Sequence, residues 1–243
     1  MRRAETKIVT GKNVTGKHGF AFAKVRRKQK PRSCLEAWEQ GARASGFFCI
    51  QDNDGHLHKV YCDLASEPGW VWTLITSQSL RNREEQFAQA GLLVDSPKNA
   101  ELPNWQAYRL PLNRMVELKS RSTHWRVTCS FPSQGVDYRD YLRVEFERFD
   151  VLTFVAGRVC KQVEYIDIRG HVCQQCTTAW GQKIELFLTH RSDVNECDRG
   201  STPDHISSEQ SFGRYKKGRN PEFRCTSEDS STTNYWFGSR LKP

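Results

Sequence analysis

Nine cysteines in 243 residues, running from Cys34 to Cys225, constrain this chain more than any other feature. Cysteine at that density is uncommon in reducing compartments, and spreading it along most of the chain is what a covalent framework requires. The expectation is an oxidising compartment, with Cys129, Cys160, Cys173, Cys176, Cys197 and Cys225 among the framework cysteines. An odd count leaves one thiol over, which is buried, free or joined to another chain. Closing Cys173 directly on Cys176 would strain so short a loop, so each is expected to have a more distant partner.

The formal net charge of +9 is unevenly placed. Residues 1–32 carry eleven Lys and Arg against the single acid Glu5, which leaves the rest of the chain close to neutral. This arm has few large apolar residues and is expected to be disordered. It also holds the sequon Asn13-Val14-Thr15, which makes Asn13 a candidate glycosylation site. Such an arm favours acidic macromolecules. No nucleic-acid recognition motif accompanies it, so the partners expected are extracellular-matrix components or acidic polysaccharide, with no specific nucleic acid.

Met1 to Lys30 lacks the apolar stretch of a secretory leader, and no run reaches the roughly 18 apolar residues of a membrane span. This start is read as the incomplete or mis-assigned beginning of a secreted precursor, with no membrane partner. An intracellular protein with reduced cysteines is the alternative.

Local patterns give an α+β chain. Ser33 is a natural N-cap for a short helix carrying Leu35 and Trp38 on one face. Phe47–Ile50 and His58–Cys62 flank Asp52-Asn53-Asp54-Gly55 and read as a β-hairpin, with Trp70–Ile75 as a third strand. Ser79–Ala90 reads as an amphipathic helix, and residues 97–111 as loop. Strands are expected at Trp125–Cys129, Tyr141–Phe146, Val151–Val155, Val163–Ile168 and Ile184–Leu188. From Arg191 onward irregular structure is expected, although Tyr235-Trp236-Phe237 must still pack.

The series Ser33-Cys34-Leu35-Glu36, Gly46-Phe47-Phe48-Cys49-Ile50, Val60-Tyr61-Cys62-Asp63-Leu64 and Gly69-Trp70-Val71-Trp72-Thr73-Leu74-Ile75 resembles the opening of fibrinogen C-terminal domains. The resemblance implies that Cys34 pairs with Cys62 across the hairpin, and it gives Cys49 no counterpart. It covers residues 33–78 of a single expected domain, 33–243, and residues 79–243 follow as a divergent, β-rich, disulfide-bonded part. The motifs that carry the family's calcium and ligand pockets are not recognisable, so no pocket residue transfers. With Thr123-His124-Trp125-Arg126 and the tail Ser231–Gly238, the whole chain is similar to the uncharacterised fibrinogen-like proteins of coral skeletal organic matrix. That likeness implies a secreted matrix protein, with a lectin-like recognition protein as the alternative.

Asp52, Asn53 and Asp54 suggest a calcium loop, but the EF-hand register would put Ile50 at position one and Tyr61 at position twelve, so a hairpin turn is preferred. Asp193-Val194-Asn195-Glu196-Cys197 resembles the start of a calcium-binding EGF module, but too few cysteines follow. Cys160, Cys173, Cys176 and Cys197, with His171 and His190, offer a zinc or redox reading, against which structural disulfides are preferred. No metal or cofactor is assigned. No nucleophile elbow, phosphate loop, dinucleotide fingerprint or metalloprotease motif occurs, so a non-catalytic role is expected.

Overall fold

The computed structural model describes residues 29–191, 196–199, 210–216 and 218–242. Most of the basic arm, including the Asn13 sequon, lies outside the described residues. The helices are α1 (Cys34–Glu39), α2 (Gln86–Gln89), α3 (Leu112–Lys119) and α4 (Phe131–Gln134). The strands are β1 (Gly46–Gln51), β2 (Leu57–Asp63), β3 (Trp70–Ser79), β4 (Ala107–Arg109), β5 (His124–Cys129), β6 (Tyr141–Glu145), β7 (Ala156–Ile168), β8 (His171–Lys183), β9 (Leu186–Arg191), β10 (Gln210–Ser211) and β11 (Thr232–Arg240). All pair antiparallel in one sheet of order β1-β2-β3-β11-β5-β6-β7-β8-β9-β10, with β4 added beside β3. The chain is thus mostly antiparallel β-sheet with few helices and four disulfides.

The opening follows its local chemistry. The Ser33 side chain accepts a hydrogen bond from the Glu36 amide and starts α1, and Gly55 at φ 87° closes the β1–β2 turn. β3 lies at the centre with every residue buried, so it has no polar face to alternate.

Four readings change. β11, expected within an irregular tail, is a nine-residue strand between β3 and β5, buried along all but its last residue. Its polar Thr232, Thr233 and Asn234 hide it from hydropathy, yet their groups are satisfied inside. Asn234 donates to Ser77 Oγ at 2.7 Å and accepts from the Phe131 amide at 3.2 Å. Gly238 is required here, because a Cβ would stand 2.2 Å from the Val71 carbonyl oxygen.

The helix expected over Ser79–Ala90 breaks into a 3-10 turn at Leu80–Asn82 and the short α2. The break is at Glu85, whose backbone is extended at φ −67° and ψ 149°, and the Arg83 carbonyl that a continuous helix would offer the Phe87 amide accepts from the Gln89 side chain at 2.5 Å. Val151–Val155, expected as a strand, is a turn held by Asp150, which accepts from the Leu152 amide and the Thr153 hydroxyl. Within the expected loop lies β4, and just beyond it the unforeseen α3, whose Met115 and Leu118 are buried three positions apart.

Two buried basic side chains of this half are satisfied very differently. Arg109 is wholly buried and its guanidinium donates to the carbonyls of Phe87, Ala90, Gly91 and Val94. His58, 4% exposed on β2, has neither ring nitrogen hydrogen-bonded. Burial, with help from the Arg114 charge, lowers its pKa to about 4. The folded state therefore refuses a proton that the unfolded chain takes up near pH 6.5. The stability it supports is complete above about pH 6.5 and is lost as pH falls through 4, by up to about 3 kcal/mol. Melting temperatures of wild type and His58→Leu between pH 7.5 and 4.5 check this, and the variant should lose most of the slope.

Candidate binding cleft and the ionic network behind it

The four disulfides position the chemistry. Cys34 and Cys62 are bonded at 2.01 Å, fixing the start of α1 on β2. Cys129–Cys225 joins the end of β5 to the segment before β11, across 96 positions. Cys160–Cys197 fastens the segment after β9 to β7.

Cys173 and Cys176 are bonded to each other, contrary to the expectation of distant partners. In a regular strand two residues three apart face opposite sides. Gln175 between them has φ 47°, and its pairing with Glu164 is missing from the β7–β8 ladder. This break in alternation brings the two sulfurs onto one side. With Cys160, Cys173, Cys176 and Cys197 all in disulfides, no thiolate is left there for zinc. Cys49 remains as an exposed free thiol on the edge strand β1.

Asp52, Asp54 and His56 each bring a ligand atom within 4.8 Å of the others. Asp52 is already committed, because it accepts from the His56 amide at 2.7 Å and lies 3.6 Å from Arg114. The stretch acts as a turn.

The Cys129–Cys225 bond brings residues 130–134 and 224–232 face to face and leaves a cleft of about 230 Å³ between them. Hydroxyls of Ser130, Ser133, Ser227, Ser230 and Ser231 dominate its lining, and Trp105 supplies the aromatic wall. Arg224 is steadied by a two-pronged contact with Asp137 at 2.7 and 2.9 Å. Ser130 donates to the Arg224 carbonyl and accepts from the Thr232 amide, tying both walls.

Behind Trp105 the rings of Tyr61, Phe131 and Trp236 pack within 6.2 Å, and the Arg126 guanidinium lies 4.8 Å from Trp236 and 4.7 Å from Trp72. Arg126 is fully buried and bonds Asp63 at 2.5 Å and Glu67 at 2.9 Å. Glu67, also buried, accepts from Trp72 Nε1 at 2.9 Å, from the Tyr141 hydroxyl at 3.0 Å and from Arg143. Arg143 reaches on to Glu164 in a fork of 2.8 and 2.9 Å, and His124 stands 3.4 Å from the same carboxylate.

Burial pushes the Asp63 carboxyl up, but the Arg126 charge and the Ser66 hydrogen bonds outweigh it and hold it below the usual carboxylate range. Glu164 has the same balance: burial raises it, while His124 and Arg143 bring it down to about 2. Three carboxylates against two guanidiniums, closed to solvent at Arg126, make a structural lock under an open cleft.

Sequence reasoning did not single out Trp105, Glu67 or Arg224. Trp105 lies in a proline-punctuated stretch that reads as loop, and the serines near 230 in a tail that reads as irregular. Arg126 was noticed only as part of a resemblance.

No family model matches the chain, and no curated protein does. Among solved structures, the fibrinogen-like globe domain of human ANGPTL2 is similar, at 14% identity, covering 88% of this chain and 100% of that one with a TM-score of 0.35. A likeness of that size decides neither family nor function. No described helix is long and apolar enough to cross a membrane.

Proposed function

We propose that this chain is a secreted, non-catalytic binding protein of the fibrinogen-related kind, serving as a structural component of an extracellular matrix and, in line with its resemblance to coral proteins, of a biomineral matrix. The observation that carries the reading is the disulfide framework, in which a Cys34–Cys62 bond joins helix start to second strand within the very residues that resemble fibrinogen C-terminal domains. A body with four disulfides suits an oxidising environment. The domain division of the reading is a basic arm over 1–32 and one domain over 33–243, the arm providing contacts for acidic matrix components.

The test is solid-phase binding of the oxidised full chain to sulfated polysaccharide, neutral polysaccharide and calcium carbonate, with and without calcium. The expected result is calcium-independent binding to the sulfated polysaccharide and to calcium carbonate, and none to the neutral polysaccharide. Absence of binding to all three overturns the reading.

The hydroxyl-lined cleft at Trp105 favours a second reading, a lectin-like recognition protein, because an aromatic wall beside clustered hydroxyls and an arginine fits a sugar ring. On that reading a glycan array shows selective binding that Trp105→Ala weakens by at least about tenfold, the order expected when an aromatic contact is removed. An array without selectivity removes it.

A further inference from the structure

A second surface, sharing no lining residue with the Trp105 cleft, is rich in positive charge. Gly213-Arg214-Tyr215-Lys216-Lys217-Gly218-Arg219 places four basic residues within six positions, in a body whose net charge is close to zero. Gly213 lets this segment lie against β9, because a Cβ there would stand 1.8 Å from the Leu188 carbonyl oxygen. Arg214 is thereby set between two adjoining hollows. One, of about 680 Å³, is lined by Val155, Lys183, Ile184, Glu185, Leu186 and Arg214. The other, of about 310 Å³, is lined by Glu84, Gln89, Arg214, Tyr215 and Lys216. Arg214 lines both, so the two hollows meet at its side chain as one groove interrupted there.

We propose that this groove binds a linear sulfated polysaccharide, with Lys183, Arg214 and Lys216 as its sulfate contacts. The inference rests on the reading of the chain as an extracellular binding protein, and it moves a principal acidic-polysaccharide contact from the arm to the folded body. Lys183, Arg214 and Lys216 make no ion pair among the described residues, whereas Arg83 and Arg219 at its margins are paired with Glu84 and Asp229 at 3.3 Å. Glu185 is the one lining carboxylate without such a partner, so the groove keeps a positive excess.

Its apolar wall is unusual for a purely ionic patch: Ile184 is 64% and Val155 59% exposed. Aliphatic surface between cations fits a sugar chain, which presents C–H faces between its sulfates. Bases would need an aromatic platform, and Tyr215 is buried.

The experiment compares three full-length proteins: wild type, the groove variant Lys183→Gln/Arg214→Gln/Lys216→Gln, and the arm variant Arg26→Gln/Arg27→Gln/Lys28→Gln. Each is titrated with heparin, single-stranded DNA and anionic phospholipid vesicles over a range of salt, with circular dichroism to establish folding. Lysine acetylation with and without heparin maps the contact in the wild type.

The expected result is heparin binding at least about tenfold weaker in the groove variant, with a salt slope shallower by roughly two to three ions. Lys183 and Lys216 should be protected from acetylation by heparin. Unchanged heparin affinity in the groove variant, with loss in the arm variant, overturns the groove and leaves the matrix reading standing. Equal losses for DNA or vesicles overturn the polysaccharide assignment. Wild type that does not bind heparin overturns the groove together with the acidic-polysaccharide part of the matrix reading. A groove variant that fails to fold leaves the acetylation map to decide, and unprotected Lys183 and Lys216 then overturn the proposal.

Discussion

Arg126→Met is expected to destabilise the protein by about 3–5 kcal/mol, the range seen when one partner of a buried ionic cluster is removed. Asp63 and Glu67 would be left in a space closed to water with the guanidinium between them gone. Domains have only about 5–15 kcal/mol of stability in all, so a loss of this size brings the variant near unfolding at ambient temperature. Urea unfolding followed by tryptophan fluorescence measures it, since Trp72 and Trp236 lie against Arg126. Two controls separate ionic loss from lost packing. Arg143→Met should cost less, because Glu164 is already partly hydrated, with a side chain 23% exposed, and buried Glu67 keeps Arg126 as its cation. Neutralising the partners as well, in Asp63→Asn/Glu67→Gln/Arg126→Met, should recover part of the loss, because no buried charge then stands alone.

Replacing both Cys129 and Cys225 by Ser is expected to cost about 4–5 kcal/mol, from the entropy of opening a loop of 96 positions. The same change at Cys173 and Cys176 should cost roughly 2 kcal/mol, because only three positions separate them. The larger effect also has a functional side, because the Cys129–Cys225 bond holds the two walls of the serine-lined cleft together. Thermal melts of the two double variants should rank in that order. Equal melts would show that the chain before β11 is held by its hydrogen bonds, such as Ser130 to Arg224 and Thr232, without needing the bridge.

What could be read in advance depended on whether local chemistry was sufficient. α1, the β1–β2 hairpin and the start of β3 each have their own signal: a capping serine, an Asp-Gly turn and a run of aromatic and β-branched residues. β11 has a comparable run in Thr232, Thr233 and Tyr235-Trp236-Phe237, but set among Ser, Asp and Asn it looks like loop until Ser77, Thr128 and the Phe131 amide are placed around Asn234. The segment after Ser79 failed in the opposite direction. Its spacing suits a helix, but Glu85 turns extended and splits it into two short turns, with the Arg83 carbonyl taken by the Gln89 side chain.

The candidate sites were less legible still. Trp105, Ser130 and Arg224 come from three separated segments, and no periodicity links them. Lys183 and Arg214 are likewise distant in sequence, and the excess charge of the arm drew attention away from the body. The pairing of Cys173 with Cys176 depends on a left-handed residue, Gln175, which has no sequence signature of its own.

The central claim is a body framed by four disulfides outside a reducing compartment. It is tested most directly by alkylating protein from its native source without reduction and mapping the linked peptides. The account predicts bonds Cys34–Cys62, Cys129–Cys225, Cys160–Cys197 and Cys173–Cys176, with Cys49 the single thiol outside these pairs. Nine alkylated cysteines, or a Cys34 linked to anything other than Cys62, would contradict it.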